Sequence, residues 1–181
     1  MTQKYLRRFS PVMTILKGRN DINQVNSKGQ LLCLQMFFSK SFGYALRGVL
    51  YVALVSEENK RVQVDEIAKR LAVPKHFLAK IMNRLVKGGI LDSTKGPYGG
   101  FSVNEETFPS PLIRILKITD GMEQFNTCVL KLRKCSKTNP CPLHFLMEKN
   151  RNDLLTNFSQ TTVADLLRQE NKIGIQSIAT G

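Results

Sequence analysis

The chain has 181 residues, with 27 Lys and Arg against 14 Asp and Glu and a formal net charge of +13. That length bounds it to one domain with a real core plus tails, and the charge suits a polyanion, which makes nucleic acid the leading partner class. No apolar run reaches the roughly 18 residues of a membrane span, and four cysteines are too few for a disulfide scaffold.

Residues 1–35 carry six basic residues and one acidic one, and their apolar residues follow no sustained period. This stretch is expected to be a poorly ordered basic N-terminal extension. Its one short apolar stretch is broken by Pro11 and followed by charges, unlike the continuous apolar segment of a secretory signal, so a cytoplasmic location is expected. Met36 stands immediately before the first convincing element and offers an alternative start.

From Ser41, Tyr44, Ala45, Leu46, Val49, Leu50, Val52, Ala53 and Leu54 form a broad helical stripe, with Ser39 or Ser41 available as N-cap. A short connection leads to VDEIAKRLA, where Val64, Ile67, Ala68 and Leu71 recur at helical spacing while Asp65, Glu66, Lys69 and Arg70 point outward. Pro74 suits a first helical turn, and the helix after it pairs Phe77 and Leu78, Ile81 and Met82, and Leu85 and Val86 on one face before Gly88 and Gly89 stop it. Its other face carries His76, Lys80, Asn83, Arg84 and Lys87. Two short apolar runs, Ile90–Leu91 and Phe101–Val103, are joined by DSTKGPYGG, whose Gly-Pro and Gly-Gly pairs form turns: a hairpin with a basic, glycine-rich tip. Beyond it, SPLIRILKITDG reads as a helix capped by Ser110 and ended at Gly121. A cysteine-bearing loop (about 122–144) leads into a helix over PLHFLMEKNRNDLLTNF, and residues 161–181 are expected to be a short C-terminal segment in which TTVADLLRQE makes a brief capped turn or helix before a tail.

The fold class is therefore mainly α: over residues 36–160, two closely spaced helices, the second basic outside, followed by a two-stranded wing, make a winged helix-turn-helix. An α-helix fits the major groove of double-stranded DNA. Lys75, His76 and Lys80, near the N-terminus of the second helix, would reach base edges or phosphates, and Arg84 and Lys87 would meet phosphate. Lys95 and Tyr98 at the hairpin tip would lie against the backbone or minor groove. Winged helices also serve as protein-binding modules, a use that the charge of +13 disfavours. No nucleophile-base set is present, and GPYGG lacks the pattern of a phosphate loop, so no enzyme and no small-molecule substrate are expected.

Cys128, Cys135 and Cys141 fall within one short segment, with His144 following, as C-x6-C-x5-C-x2-H, while Cys33 stands apart. This differs from the paired C-x2-C knuckles of zinc sites. Three thiolates and one imidazole can bind zinc or an iron-sulfur cluster, and the wide, unequal spacing favours the cluster. Pro142 at a first helical position would make Cys141 the N-cap of the next helix, and Lys131, Arg133, Lys134 and Lys137 would favour thiolates.

Over residues 36–170 the chain resembles the Rrf family of bacterial regulators, of IscR/NsrR type. The resemblance rests on YALRGVLYVAL, DEIAKRLAVPKHFLAKIMNRLVKGGIL, the wing STKGPYGGF, ITDG, and the three cysteines in order. It implies a homodimeric, sequence-specific regulator whose DNA affinity is set by an iron-sulfur cluster sensing redox, nitric oxide or iron-sulfur status. It also implies a dimerisation helix after the cluster loop, here 142–158. Some members resemble this chain in having a histidine three residues after the last cysteine, whereas others use a carboxylate where this chain has Gly43. The resemblance thus favours His144 as fourth ligand and 2Fe-2S over 4Fe-4S. Ala79 aligns with a glutamate used by IscR-like proteins for base discrimination, so the operator does not carry over.

Overall fold

The computed structural model describes residues 38–55, 61–128, 130 and 136–173, with side chains to Arg168. The basic extension, Met36, Cys33, Cys135 and the residues after 173 lie outside them.

Helix α1 (Lys40–Val55) buries Phe42, Ala45, Val49, Leu50, Val52 and Ala53. Ser39 caps it, its Oγ accepting from the amides of Ser41 at 3.0 Å and Phe42 at 3.3 Å. Ser39 also donates through its N–H and hydroxyl to the Asp120 carboxylate, at 2.8 and 2.5 Å, which ties the entry of α1 to a segment 81 residues away. Helix α2 (Val64–Leu71) crosses into α3 (Lys75–Lys87) through a three-residue turn. Ala72 makes that turn in the left-handed region, φ 52°, and its N–H reaches back to the carbonyls of Ala68 and Lys69. Pro74 sits at the N-cap of α3 rather than inside its first turn. Gly88 and Gly89 end α3 as the sequence implied, Gly89 at φ 71°.

Strands β1 (Asp92–Thr94) and β2 (Gly100–Ser102) pair antiparallel, with Ser93 opposite Phe101. Val62, read as mere connection in the sequence, adds a bridge to this hairpin. Its N–H donates to Phe101 O at 2.9 Å and its carbonyl accepts from Phe101 N at 2.8 Å. The wing is therefore stitched to the residue that leads into α2. A single apolar residue between polar neighbours carries too little period to announce a strand.

Helix α4 (Leu112–Thr119) packs on α1 and α3 and buries Leu112, Ile113, Ile115 and Leu116. Ser110, expected as its cap, instead donates its hydroxyl to Glu106 O at 2.6 Å, and Pro111 takes the cap position. A short helix α5 (Glu123–Asn126) follows, then α6 (His144–Gln160). Helix α6 lays Leu154, Leu155 and Phe158 on the core, with the Phe158 ring 5.0 Å from that of Phe38. Of the brief capped turn or helix expected after residue 160, the structure forms the helix. Val163–Ile173 forms a helix, α7, opened by a box in which Thr162 and Asp165 exchange hydrogen bonds of 2.7 to 3.2 Å. Backbone bonds from Leu112 N to Thr161 O and from Val163 N to Ser110 O dock its start beside α4. The core is one continuous cluster in which Val49, Ile67, Leu78, Met82, Leu85 and Leu116 are all buried.

Candidate nucleic-acid interface and cysteine segment

Helix α3 buries Leu78, Ile81, Met82 and Leu85, so the intervening positions face out by geometry, and Lys75, His76, Lys80, Asn83, Arg84 and Lys87 are all exposed. The structure thus brings the expected recognition residues onto one surface. Lys75 pairs with Asp65 of α2 at 2.7 Å, but both side chains are 59% exposed, and such a pair is worth only about 0–1 kcal/mol, little enough for a phosphate to displace it. Phe77 meets Tyr44 of α1 edge-on, ring centroids 5.9 Å apart, which fixes the first turn of α3. Arg84 is engaged differently from its neighbours: its guanidinium donates to the carbonyl of Ile118 at the end of α4.

At the wing, Lys95 is exposed and Tyr98 is 92% exposed, an apolar ring held in water at the tip of a hairpin. The tip is not loose. Gln63 Nε2 donates to Pro97 O at 2.8 Å, Gly99 N to Gly96 O at 3.0 Å, and a Cβ on Gly99 would collide with the Thr94 carbonyl and the Lys95 backbone. Gln63, the residue next to the bridging Val62, was not identifiable as a wing support from sequence; only the fold brings it 34 residues forward to Pro97.

The cysteine segment runs between α5 and α6. Cys128 is buried just past α5 and Cys141 is half-buried three residues before α6. His144 opens α6 with only 3% of its side chain exposed. The expectation that Cys141 caps α6 is corrected: the helix starts at His144, Leu143 takes the cap position, and the Cys141 carbonyl accepts the His144 N–H at 2.9 Å. Pro142 permits a first helical turn, but residues 142–143 form a separate turn ahead of it. His144 Nε2 lies 3.8 Å from Glu148 Oε2, and Glu148 Oε1 is 2.9 Å from Lys137 Nζ. The Lys137 hydrogen bond holds the Glu148 carboxyl below its ordinary value of 4.5, with the charges of Lys137, His144 and Arg151 adding and desolvation opposing. Glu148 was missed as a site residue; its spacing of four from His144 on a helix was the available signal. Arg151 of α6 donates to Phe125 O at 2.5 Å and so ties α6 to α5 just ahead of Cys128. Among the described residues no three His, Cys, Asp or Glu side chains converge on one point, so Cys128, Cys141 and His144 do not by themselves form a closed ligand set.

A helix-turn-helix with an anchored basic wing defines a winged-helix regulator. The model of the Rrf2 family, described as iron-dependent transcriptional regulator, matches residues 38–169, and the chain belongs to this family. It is 37% identical over 139 residues to an HTH-type transcriptional regulator of Aquifex aeolicus, covering 76% of this chain and 95% of that one. Solved structures share the fold. IscR of T. potens matches with a TM-score of 0.59 at 17% identity over 79% of this chain and 94% of its own. CymR, the global cysteine regulator of B. subtilis, matches with a TM-score of 0.57 at 18% identity, over 72% and 95% of the two chains. The chain is accordingly a DNA-binding transcriptional regulator and not an enzyme. No helix among the described residues is long and apolar enough to cross a membrane.

Proposed function

We propose that this chain is a cytoplasmic, homodimeric regulator that binds operator DNA through α3 and the wing and whose affinity is set by an iron-sulfur cluster, 2Fe-2S in preference to 4Fe-4S, held by Cys128, Cys135, Cys141 and His144. The observation that carries the reading is the buried imidazole of His144 at the head of α6, its backbone N–H bonded to the Cys141 carbonyl and its Nε2 3.8 Å from the Glu148 carboxylate, which pairs with Lys137. A buried imidazole backed by a carboxylate is how proteins hold a metal-binding histidine in place. The donor chemistry of thiols and one imidazole fits the cluster, and it fits zinc as well. When bound, the cluster supplies a centre altered by oxidant, nitric oxide or iron loss.

The protein's own residues do the rest. Cys128 is linked to α6 through the Arg151 bond to Phe125, His144 opens the same helix, and the Cys141 carbonyl accepts its N–H, so ligation at these residues bears directly on where α6 sits. Helix α6 is the proposed dimer contact, with Phe145 70% and Leu146 62% exposed at its head. Its placement then sets the separation of two recognition helices. Lys75, His76 and Lys80 are the residues assigned to base edges and nearby phosphates, and Lys95 and Tyr98 to the minor groove or backbone.

Anaerobic purification followed by visible absorbance and iron, sulfide and zinc analysis tests the proposal. Colour with matched iron and sulfide supports it. A colourless protein, with zinc or with bare thiols, replaces the cluster by a zinc or thiol-only site, and equal DNA affinity of apo and loaded protein removes the sensing role.

A further inference from the structure

The last turn of α3 lies against α4, and each helix lends the other an arginine. A helix leaves its last carbonyls without intrahelical donors and concentrates negative potential there. At this junction Arg84 of α3 donates to Ile118 O of α4, while Arg114 of α4 donates through Nη2 to Gly88 O at the end of α3, at 2.9 Å. Arg114 is itself held by Glu106 Oε2 at 2.9 Å and Ser110 Oγ at 3.3 Å. The junction is close enough that a Cβ on Gly88 would strike the Ile118 side chain, and one on Gly89 would lie 3.0 Å from Arg114 Nη2. A guanidinium suits this role because its planar fork offers several fixed donors, which an ammonium lacks.

We infer that Arg84 is a positioning residue of the recognition helix, forming with Arg114 a reciprocal clamp that sets how α3 is presented to DNA, and that it does not neutralise a phosphate. In sequence Arg84 is one more cation between Lys80 and Lys87 on the basic face. In the fold its guanidinium, though exposed like Lys80 and Lys87, is engaged by a carbonyl at the end of α4. The clamp acts on the helix that reads bases, so its loss falls on discrimination between sequences. Attraction to the phosphate backbone, which is sequence-independent, stays.

The test uses the full-length protein, a duplex selected by the wild type from a random library, and a random-sequence duplex as reference. R84A, R114A, R84K and the R84A/R114A double variant are compared by fluorescence anisotropy over a salt series. R84A and R114A are expected to lose about tenfold in affinity for the selected duplex, the size of a lost hydrogen bond to a charged group. Both are expected to keep their affinity for the random duplex. The double variant is expected to lose less than the product of the single losses, because both remove one clamp. A general loss of folded protein lowers both affinities together and leaves their ratio unchanged, so the ratio reads positioning alone. R84K keeps the charge: a clamp predicts the behaviour of R84A, and a phosphate contact predicts that of wild type. The inference is overturned if R84A weakens both duplexes equally and flattens the slope of log K against log salt by about 0.9, the signature of one lost phosphate contact. It is overturned as well if R84A leaves the ratio unchanged or R84K binds as wild type does.

Discussion

Thr107 is fully buried in the turn that follows the wing, and its hydroxyl makes the shortest bond between that turn and the exit of the recognition helix, where Asn104 Nδ2 also donates to Gly89 O at 3.5 Å. Oγ1 donates to Ile90 O at 2.6 Å and accepts from Asn104 N at 2.9 Å. Thr107→Val keeps the shape and deletes both bonds. It strands a buried carbonyl and a partly buried N–H, each costing about 1–3 kcal/mol, with the half-buried amide at the low end. The added methyl returns at most about 0.8 kcal/mol of apolar burial. The net loss is about 2 kcal/mol, which for a chain of this size lowers the melting temperature by roughly 4–8 °C. Thr107→Ser keeps the hydroxyl and loses one methyl, about 1 kcal/mol. Urea unfolding followed by circular dichroism, at one fixed protomer concentration because the stability of the proposed dimer depends on it, measures both. The reasoning is refuted if Val falls within about 0.5 kcal/mol of wild type, or if Ser is the more damaging of the two.

Gly99→Ala forces a methyl into the Thr94 carbonyl and the Lys95 backbone, so it should weaken DNA binding severalfold by displacing the wing tip while the helical circular dichroism signal stays as it is. Tyr98→Ala removes a ring that is 92% exposed; the expected result is unchanged stability with reduced DNA affinity, read by a thermal melt and an anisotropy titration on the same sample. Ala72→Gly relieves a left-handed alanine at the turn between α2 and α3 and should stabilise by up to about 1 kcal/mol in urea unfolding. His144→Ala, in protein purified without oxygen, should lower iron per protomer or shift the visible spectrum; identical iron content and spectrum would remove His144 from the ligand set. Burial, with help from the hydrogen bond to Glu66 at 3.0 Å and its charge, raises the Tyr51 phenol above its usual 10.0, Arg70 opposing. A raised phenol keeps its proton longer in the folded state, so its share of stability is complete below pH 10.0 and disappears as pH climbs through the folded value. Tyr51→Phe should abolish that alkaline component, as seen by unfolding above and below pH 10.0.

The legible parts of this chain are those where one element carries its own signal. The 3.6-residue stripes of α1, α2 and α3 are long relative to their caps, and Gly88, Gly89 and the GPYGG turn interrupt them at the right places. The exposure of Lys75, His76 and Lys80 followed from the same periodicity, because burying Leu78, Ile81 and Leu85 leaves those positions outside. The three clustered cysteines were visible as spacing alone. Helix α7 was legible only as a turn or helix because its first residues, Thr162 to Leu167, are a cap followed by a brief apolar group, and docking beside α4 supplies the support that local propensity lacks.

What only the tertiary structure decided is the set of contacts that join distant segments. Val62 becomes a wing strand because Phe101 comes to meet it. Asp120 becomes a cap partner for Ser39, and the start of α6 moves from Pro142 to His144, so that Cys141 offers its carbonyl and not its side chain to the first turn. Arg84 shows the division most clearly. Its sequence position marks it as one cation of a basic face, and its function is set by a carbonyl 34 residues away. The physical reason is range. Amphipathic period, caps and turn chemistry act over a few residues and are written locally, so the chain alone determined a basic winged helix with a cysteine segment. Which donor finds which orphaned carbonyl depends on how finished helices pack, and that exists only once the core has formed.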